Sequence, residues 1–338
     1  MNDEIDVLTI GETMVLLNPH ESGPMRHVVD FRKRIGGAES NMAVGLARLD
    51  HDAAWISRLG SDPHGQYVRD TIRGAGVDTQ YVTFDAEAPT GLMFKERREL
   101  AESRVYYYRD DSAASRMAPD DLPDEALANA RYLHLTGITP ALSESCRELV
   151  FDATRRAQEH GVTVSLDPNL RFKLWDETMM RETLLSLVEE CDVVLPGIEE
   201  GAVLLGTDDP ERIATEFRAL GADEVVVKLG ADGAFVASDA VAETVTGYEV
   251  ERVVDPVGAG DGFAAGYLSG RLEGLDPVRA TDRANAVGAL ATTVTGDIEG
   301  LPTRSELRSL QVTKTNKSDN NRSLSVRLAV KSIRRTQL

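Results

Sequence analysis

The most informative stretch of this sequence reads Asp255-Pro256-Val257-Gly258-Ala259-Gly260-Asp261-Gly262-Phe263, between an extended segment and a helical pattern. Its closely spaced glycines leave backbone N–H groups open at the start of that helix, where the helix dipole favours an anion. A carboxylate in such a site repels phosphate, but it is well suited to accept a proton from a hydroxyl that attacks a phosphoryl group. The alternative is a glycine-rich turn in which Asp261 only begins the helix. The order of strand, glycines and helix favours the phosphoryl site.

A second glycine-rich segment lies at another predicted helix start, and it reads Gly36-Gly37-Ala38-Glu39-Ser40-Asn41-Met42-Ala43. Paired glycines allow a polyhydroxyl ligand to approach the backbone closely, and Asn41 offers both donors and acceptors. The alternative is that Ser40 or Asn41 simply caps the helix. By itself, this segment is a weak indication of a binding site.

Short apolar runs alternate with amphipathic stretches along most of the chain, which is typical of crossover units in an α/β fold. We predict a mostly parallel sheet covered by helices on both faces, with ligands at the carboxyl ends of its strands. The predicted strands are residues 5–10, 53–59, 132–135, 162–166, 193–195 and 224–228. The predicted helices are residues 41–49, 65–73, 144–159, 199–205, 260–271 and 277–294.

Two segments interrupt this alternation, at about residues 12–35 and 90–109. The second contains extended runs at residues 91–95 and 105–108, joined by a charged stretch. Together the two segments predict a small β-sheet that lies over the main sheet as a lid and excludes water from a site beneath it. The alternative is a pair of long surface hairpins.

Composition limits the partners and the location. The chain has 338 residues, 42% of them hydrophobic, and a net charge of −19, which disfavours nucleic acid or an anionic membrane as partner. No apolar run is long enough to span a membrane, and two widely spaced cysteines fit a reducing compartment, so we expect a cytoplasmic protein. Abundant Asp and Glu with few Lys favours adaptation to concentrated salt over an ordinary acidic enzyme. Residues 1–310 form one predicted domain, and the basic residues 311–338 are a predicted disordered tail.

The two glycine-rich segments, in this order and some 220 residues apart, resemble the ribokinase-like (PfkB) family of sugar kinases over residues 5–303. Residues 58–65 and 228–234 are also similar to segments of that family. The resemblance implies a ribokinase-like three-layer sandwich with a small β-sheet lid, which in this family often also serves in dimerisation. It further implies ATP and Mg²⁺ as cofactors and a homo-oligomer joined through the lid.

The resemblance also implies roles for individual residues. Asp261 corresponds to the general base, and Gly258, Ala259 and Gly260 correspond to the anion hole. The implied nucleotide-binding residues are Asn169, Lys228, Gly230, Gly233, Gly258 and Gly260. Glu200 is the implied water-mediated magnesium contact, although Gly197 stands where the family has an Asn. Val257 likewise stands at a position where the family often has a Thr.

Within the family, residues 23–26, 107–116, 171–175 and 296–303 resemble 2-keto-3-deoxygluconate kinases. The implied substrate-binding residues are Gly37, Asn41, Tyr107, Arg109, Arg171, Asp261 and Asp297. Arginines suit a sugar that carries a carboxylate, although Arg109 and Arg171 could instead be solvated or paired with protein carboxylates. Met93 stands where related enzymes often have a Tyr. A kinase for a neutral sugar such as fructose or ribose, and a non-catalytic sugar sensor, remain alternatives, and the sequence leaves the galactose-derived epimer open.

Overall fold

The computed structural model describes residues 4–96 and 104–312. Within these ranges nine strands form one sheet in the order β13-β12-β11-β10-β9-β8-β1-β4-β5. The strands are parallel from β5 to β11, and β12 and β13 pair antiparallel at one edge. Their bounds are β1 Ile5–Ile10, β4 Ala53–Gly60, β5 Val82–Asp85, β8 Ala130–Thr136, β9 Thr163–Asp167, β10 Val193–Val194, β11 Glu224–Lys228, β12 Gly233–Ala237 and β13 Ala242–Thr246.

Helices cover both faces of this sheet. Successive residues of β1 face opposite sides of the sheet, and both sides are apolar. Leu8 and Ile10 belong to one buried cluster, whereas Val7 belongs to the other. The first face packs against α3 Asp124–Ala128, α4 Glu144–His160, α5 Glu177–Val188, α6 Ile198–Leu205 and α7 Pro210–Leu220. The second face packs against α1 Ala38–Arg48, α2 Pro63–Gly74, α8 Ala259–Leu272 and α9 Pro277–Ala291.

A second sheet of four strands, in the order β3-β2-β6-β7, forms the lid. Its strands are β2 Met14–Pro19, β3 Phe31–Gly36, β6 Leu92–Glu96 and β7 Arg104–Tyr108. In the β6–β7 pair, Met93 lies opposite Tyr107 and Lys95 opposite Val105. These four side chains face the cavity beneath the lid, whereas Phe94 and Tyr108 are on the outer face, as the two-residue period of a strand requires.

The predicted fold class is confirmed: the chain is a three-layer α/β sandwich with a mostly parallel sheet and a small β-sheet lid. The predicted strands and helices do not include α3, α5, α7, β5, β12 or β13. Two of the missed helices, α5 and α7, are capped by Asp176 and Asp209, whose carboxylates accept hydrogen bonds from Met179 and Glu211 N–H groups, and these caps are visible in the sequence.

The predicted boundary between the domain and the tail, after residue 310, lies inside a helix. This helix comprises residues 304–312, and its Leu307 is buried against Leu49 and Val287. Residues 313–338, which make up nearly all of the predicted tail, lie outside the described residues. Among residues 4–96 and 104–312, no helix has the length and apolar character needed to cross a membrane.

Candidate active site

A cavity lies between the lid and the carboxyl ends of the parallel strands, at the point where the strand order reverses between β1 and β8. Ligands bind at such a switch point in open α/β sheets, because the loops that follow neighbouring strands diverge there. The cavity is lined by twelve of the predicted site residues: Gly37, Asn41, Tyr107, Arg109, Asn169, Arg171, Glu200, Lys228, Gly258, Gly260, Asp261 and Asp297.

Asp261 lies in the first turn of α8, where Gly258 begins the helix in the left-handed conformation with φ of 79°. The side-chain amide of Asn41 donates a hydrogen bond to Asp261 Oδ2 at 2.8 Å, so the two predicted segments meet in space. Burial in the cavity raises the pKa of Asp261 to about 6, although the bond from Asn41 lowers it. The carboxylate is therefore placed to gain a proton near neutral pH.

Asp297 lies beside the start of α8 and contacts both glycine-rich segments. A side chain at Gly258 would place its Cβ 2.3 Å from the Asp297 carbonyl oxygen, and one at Gly36 would lie 2.6 Å from Asp297 Oδ2. At Gly258 the contact is with the backbone and φ is positive, so this position requires glycine, whereas at Gly36 a side chain would have to displace Asp297 Oδ2. Burial raises the pKa of Asp297 to about 7, whereas nearby Lys95 lowers it.

Lys228 lies on the opposite side of the glycine turn and is held by carboxylates. Its ammonium donates to Asp167 Oδ2 at 2.6 Å and lies 4.0 Å from Glu200 Oε2. Burial lowers the pKa of Lys228, but the two carboxylates outweigh burial, and the net shift is upward. Lys228 therefore remains a cation close to Gly260, where an anionic group would lie.

Asn169 follows β9 and adopts a positive φ of 41°, an uncommon conformation for a residue other than glycine. Its backbone N–H donates to Asp167 Oδ1 at 3.2 Å, which holds the turn against the end of the strand. The next residue, Leu170, donates its N–H to Glu200 Oε1 at 3.1 Å. This turn therefore joins Asn169, Arg171 and Glu200 in one rim of the cavity.

The two predicted arginines differ in their surroundings. Arg109 is buried and forms an ion pair with Glu12, whose other oxygen accepts a hydrogen bond from Ser112 Oγ at 2.6 Å. The Arg109 guanidinium also lies 5.6 Å from the centre of the Tyr107 ring. Arg171 is exposed at the rim and donates a hydrogen bond to the carbonyl of Leu170. Arg109 is thus paired with a carboxylate, whereas Arg171 lines the cavity and forms no ion pair with a carboxylate of residues 4–96 or 104–312.

A second, largely apolar cavity adjoins the first on the far side of the glycine turn. Gly230, Gly233 and Ala259 line it and do not line the first cavity, while Lys228 and Gly260 border both. The Ala259 N–H donates to the Pro256 carbonyl at 3.3 Å. Ala259 therefore belongs to the side of the second cavity and Gly258 to that of the first, while Gly260 lies at the boundary between the two. The other residues that line the second cavity include Tyr248, Val250, Val253, Phe263 and Asn285.

Four charged residues of the first cavity were not among the predicted site residues: Glu12, Glu39, Lys95 and Asp167. Glu39 is fully buried, and Thr136 and Thr139 each donate to its Oε1 at 2.7 Å. Burial raises the pKa of Glu39. Asp167 directly follows the predicted strand at residues 162–166, and Lys95 shares a lid face with Met93. Strand position could have identified these two, but nothing in the sequence pairs Glu12 with Arg109.

The described residues contain no group of three or more His, Cys, Asp or Glu side chains arranged to hold a metal ion. Both oxygens of Glu200 accept backbone N–H bonds, from Leu170 and from Gly197. This arrangement fits a magnesium ion held mainly by nucleotide phosphates and water, because Mg²⁺ keeps several waters and needs few protein ligands. Asp167 and Glu200 are the carboxylates that would hold it through water.

Known proteins are similar to this chain over nearly its whole length. A 2-dehydro-3-deoxygluconokinase of Bacillus subtilis is 40% identical over 308 residues, covering 90% of this chain and 95% of the relative. A 2-dehydro-3-deoxygalactonokinase of Haloferax volcanii is 34% identical and covers 87% of this chain and 92% of its own length. The crystal structure of 2-dehydro-3-deoxygluconokinase from Thermotoga maritima matches with a TM-score of 0.84 and 30% identity, over 91% of this chain and 99% of that one.

The family model for pfkB carbohydrate kinases matches residues 4–304, which include both glycine-rich segments and every residue of the two cavities. The matched span also contains the lid and the whole main sheet. The chain belongs to the pfkB family of carbohydrate kinases.

Proposed function

We propose that this protein transfers the γ-phosphoryl group of ATP to the 6-hydroxyl of 2-keto-3-deoxygluconate. One observation carries the proposal: a single cavity contains a carboxylate with a pKa of about 6 at a glycine-rich helix start, opposite an arginine whose charge is available. The carboxylate suits proton removal from a hydroxyl, and the arginine suits a carboxylate on the substrate. The Bacillus relative at 40% identity supports the same substrate.

Asp261 accepts the proton of the attacking hydroxyl. The hydroxyl oxygen forms a bond to the γ-phosphorus, the bond from that phosphorus to the bridging oxygen breaks, and ADP leaves with the electron pair. The backbone N–H groups of Gly258 and Gly260 and the positive end of α8 stabilise the charge on the transferred group. Magnesium, when bound, neutralises phosphate charge, and Lys228 adds a fixed cation beside it.

ATP extends from the glycine turn into the apolar second cavity. Phe263 and Val253 offer flat and aliphatic surfaces to a purine base, and the loop containing Gly230 and Gly233 lies beside them. Gly233 has φ of 110°, and a Cβ there would lie 2.1 Å from the Val245 carbonyl, so this loop requires glycine. The position of the two cavities on either side of residues 258–260 supports a phosphate at the junction and a base beyond it.

The sugar occupies the first cavity beneath the lid. Arg171 pairs with its carboxylate, and Arg109 contributes a guanidinium whose orientation is fixed by Glu12. The Oδ1 atom of Asn41 is buried and has no hydrogen-bond partner among the described residues, so it is available to a sugar hydroxyl. A neutral sugar would use Asn41 equally well but would leave Arg171 without a partner.

A coupled assay over a panel of sugars, with MgATP as donor, tests this substrate assignment. The panel contains 2-keto-3-deoxygluconate, its galactose-derived epimer, gluconate, fructose and ribose. We expect kcat/KM for 2-keto-3-deoxygluconate to exceed the values for fructose and ribose by about 10 to 10², since a paired charge contributes roughly 1.5–3 kcal/mol. Faster turnover of fructose or ribose would contradict the assignment. The epimer is included because the Haloferax relative is named for that substrate.

We also propose that the protein acts in the cytoplasm as a homo-oligomer joined through the outer face of the lid. That face carries Phe31, Phe94 and Tyr108 in two edge-to-face contacts with ring centres 5.5 Å apart. Tyr108 is 65% exposed, which is unusual for a large ring unless a partner covers it. Light scattering should give a dimer or larger species, and Tyr108→Glu should shift it toward monomer. A monomeric wild type at micromolar concentration would contradict this proposal.

A further inference from the structure

The lid brings one ammonium group into the reactive end of the first cavity. Lys95 lies next to the last residue of β6, and its Nζ atom is 3.3 Å from Asp255 Oδ2 and 3.5 Å from Asp255 Oδ1. Both side chains are largely buried, with 17% and 10% of their surface exposed. Asp255 belongs to the glycine-rich segment, so Lys95 joins the lid to the loop that leads into α8.

The same ammonium is close to two further groups of the phosphoryl site. It lowers the pKa of Asp297, whose carbonyl oxygen packs directly beneath Gly258. On the opposite side of the turn, Lys228 Nζ lies 4.0 Å from the position of a Cβ on Gly260. Lys95 and Lys228 are the two lysines among the described residues that line this cavity, and they flank the turn of residues 258–260.

A phosphoryl group in this turn requires nearby positive charge. Asp255, Asp261 and Asp297 place three carboxylates around it, and they repel a polyphosphate unless cations offset them. Lys228 is committed to Asp167 at 2.6 Å, whereas the contact of Lys95 with Asp255 is longer and therefore weaker. A four-carbon stem with a rotatable ammonium allows Lys95 to turn from Asp255 toward a phosphate oxygen.

We propose that Lys95 is a further catalytic residue, whose ammonium contacts the transferring phosphoryl group when the lid is closed over the sugar. This proposal rests on the phosphoryl transfer proposed above, but not on the identity of the sugar. Lys95 keeps its proton throughout and acts by hydrogen bonding and charge. Because the cation belongs to the lid, full stabilisation of the transferred group requires the lid to be in place.

Lys95→Met and Lys95→Arg test the proposal, with Lys33→Met as the matched control. Lys33 is the other lysine in the described part of the lid; it lies over the Tyr67 ring at 3.8 Å and does not line the cavity. The assays use whichever sugar the wild type phosphorylates fastest, so a wrong substrate assignment leaves this test intact. We expect Lys95→Met to lower kcat by about 10² to 10³, with less than about a threefold change in the KM of the sugar. Lys95→Arg should recover part of the loss, and Lys33→Met should match the wild type.

Binding measurements separate a contact with the transferring group from a structural role. The probes are MgADP alone, and MgADP with aluminium fluoride and the sugar, which together mimic the transferring phosphoryl group. Lys95→Met should weaken the second complex by about 10² while MgADP alone binds within about threefold of the wild type. An unchanged kcat, or an equal weakening of both complexes, would overturn the proposal.

Discussion

Burial and a hydrogen bond from Asn41 act in opposite directions on the pKa of Asp261, the proposed catalytic base. A base acts only when ionised, so the pKa of about 6 predicts that kcat/KM rises with pH and levels off above about pH 7. The bond from Asn41 stabilises the carboxylate, so it holds that pKa lower than burial alone would.

Asn41→Ala should therefore move the acidic limb of the pH–rate profile to higher pH, by a measurable fraction of a unit or more. The readout is the pH of half-maximal kcat/KM, which is independent of any general loss of sugar affinity. Ser40→Ala is the control, because Ser40 bonds to Thr13 and the Gly37 carbonyl and not to Asp261. A limb that stays in place, or moves to lower pH, would contradict this role of Asn41.

The two arginines should respond differently to truncation. Arg171→Ala should raise the KM of the acid sugar about 10- to 100-fold with little change in melting temperature, because Arg171 is exposed and pairs with no carboxylate in the described part of the chain. Arg109→Ala should raise KM and also lower the melting temperature, because it leaves Glu12 buried without its counterion. Steady-state kinetics and thermal denaturation of both variants check this, with the KM of MgATP as internal control. Equal melting temperatures for the two variants would show that the Glu12 pair is unimportant.

At the residue scale, the sequence motifs identified the groups that meet in the cavity but not the contacts between them. Asp261 and Asn41 are 220 positions apart. Each could be identified from its own glycine-rich segment, because that segment marks a helix start. Lys95 and Glu12 carry no such local signal. Their partners, Asp255 and Arg109, are distant in sequence, and only the packing of the lid on the main sheet brings them together.

At the element scale, the start of α8 depends on one backbone conformation. Gly258 has φ of 79°, and a Cβ there would lie 2.3 Å from the Asp297 carbonyl oxygen. Gly258→Ala should lower kcat by at least about 10², because the turn must shift and would displace the N–H groups proposed to stabilise the phosphoryl group.

Gly206→Ala is the matched control for this change. Gly206 ends α6 with φ of 74°, and nothing lies within 4 Å of the position of a Cβ. It therefore carries the same backbone strain, about 1–2 kcal/mol, without a clash or a role in the cavity. Kinetics and chemical denaturation of both variants check the prediction. An equal effect of the two changes on kcat would mean that the turn does not need glycine for catalysis.

Periodicity predicted the elements best where apolar residues are regular or a glycine marks the helix start. It identified β1, β4 and α8, and it indicated the lid from two extended segments without a helical period. It missed β12 and β13, which pair antiparallel at the sheet edge. Four of the five residues of β13 are exposed, so β13 lacks the apolar run that marks the buried parallel strands.

At the scale of the whole molecule, the net charge of −19 makes stability depend on salt. Like charges repel in the compact state, and salt screens them over about 10 Å at 0.1 M and about 3 Å at 1 M. We expect the melting temperature to rise between 0.1 and about 2 M KCl, which would support adaptation to concentrated salt. Thermal denaturation in KCl and in NaCl checks this. A melting temperature that falls as KCl increases would contradict it.

In the proposed reaction, Asp261 removes the proton from the hydroxyl of an acid sugar during phosphoryl transfer from ATP. This role can be measured by phosphorus NMR of the wild type and of Asp261→Asn, each with MgATP and 2-keto-3-deoxygluconate. We expect the wild type to form the sugar 6-phosphate and Asp261→Asn to form it at a rate about 10² to 10⁴ lower, with MgATP affinity unchanged. Equal rates of 6-phosphate formation by the two proteins would show that Asp261 is not the base.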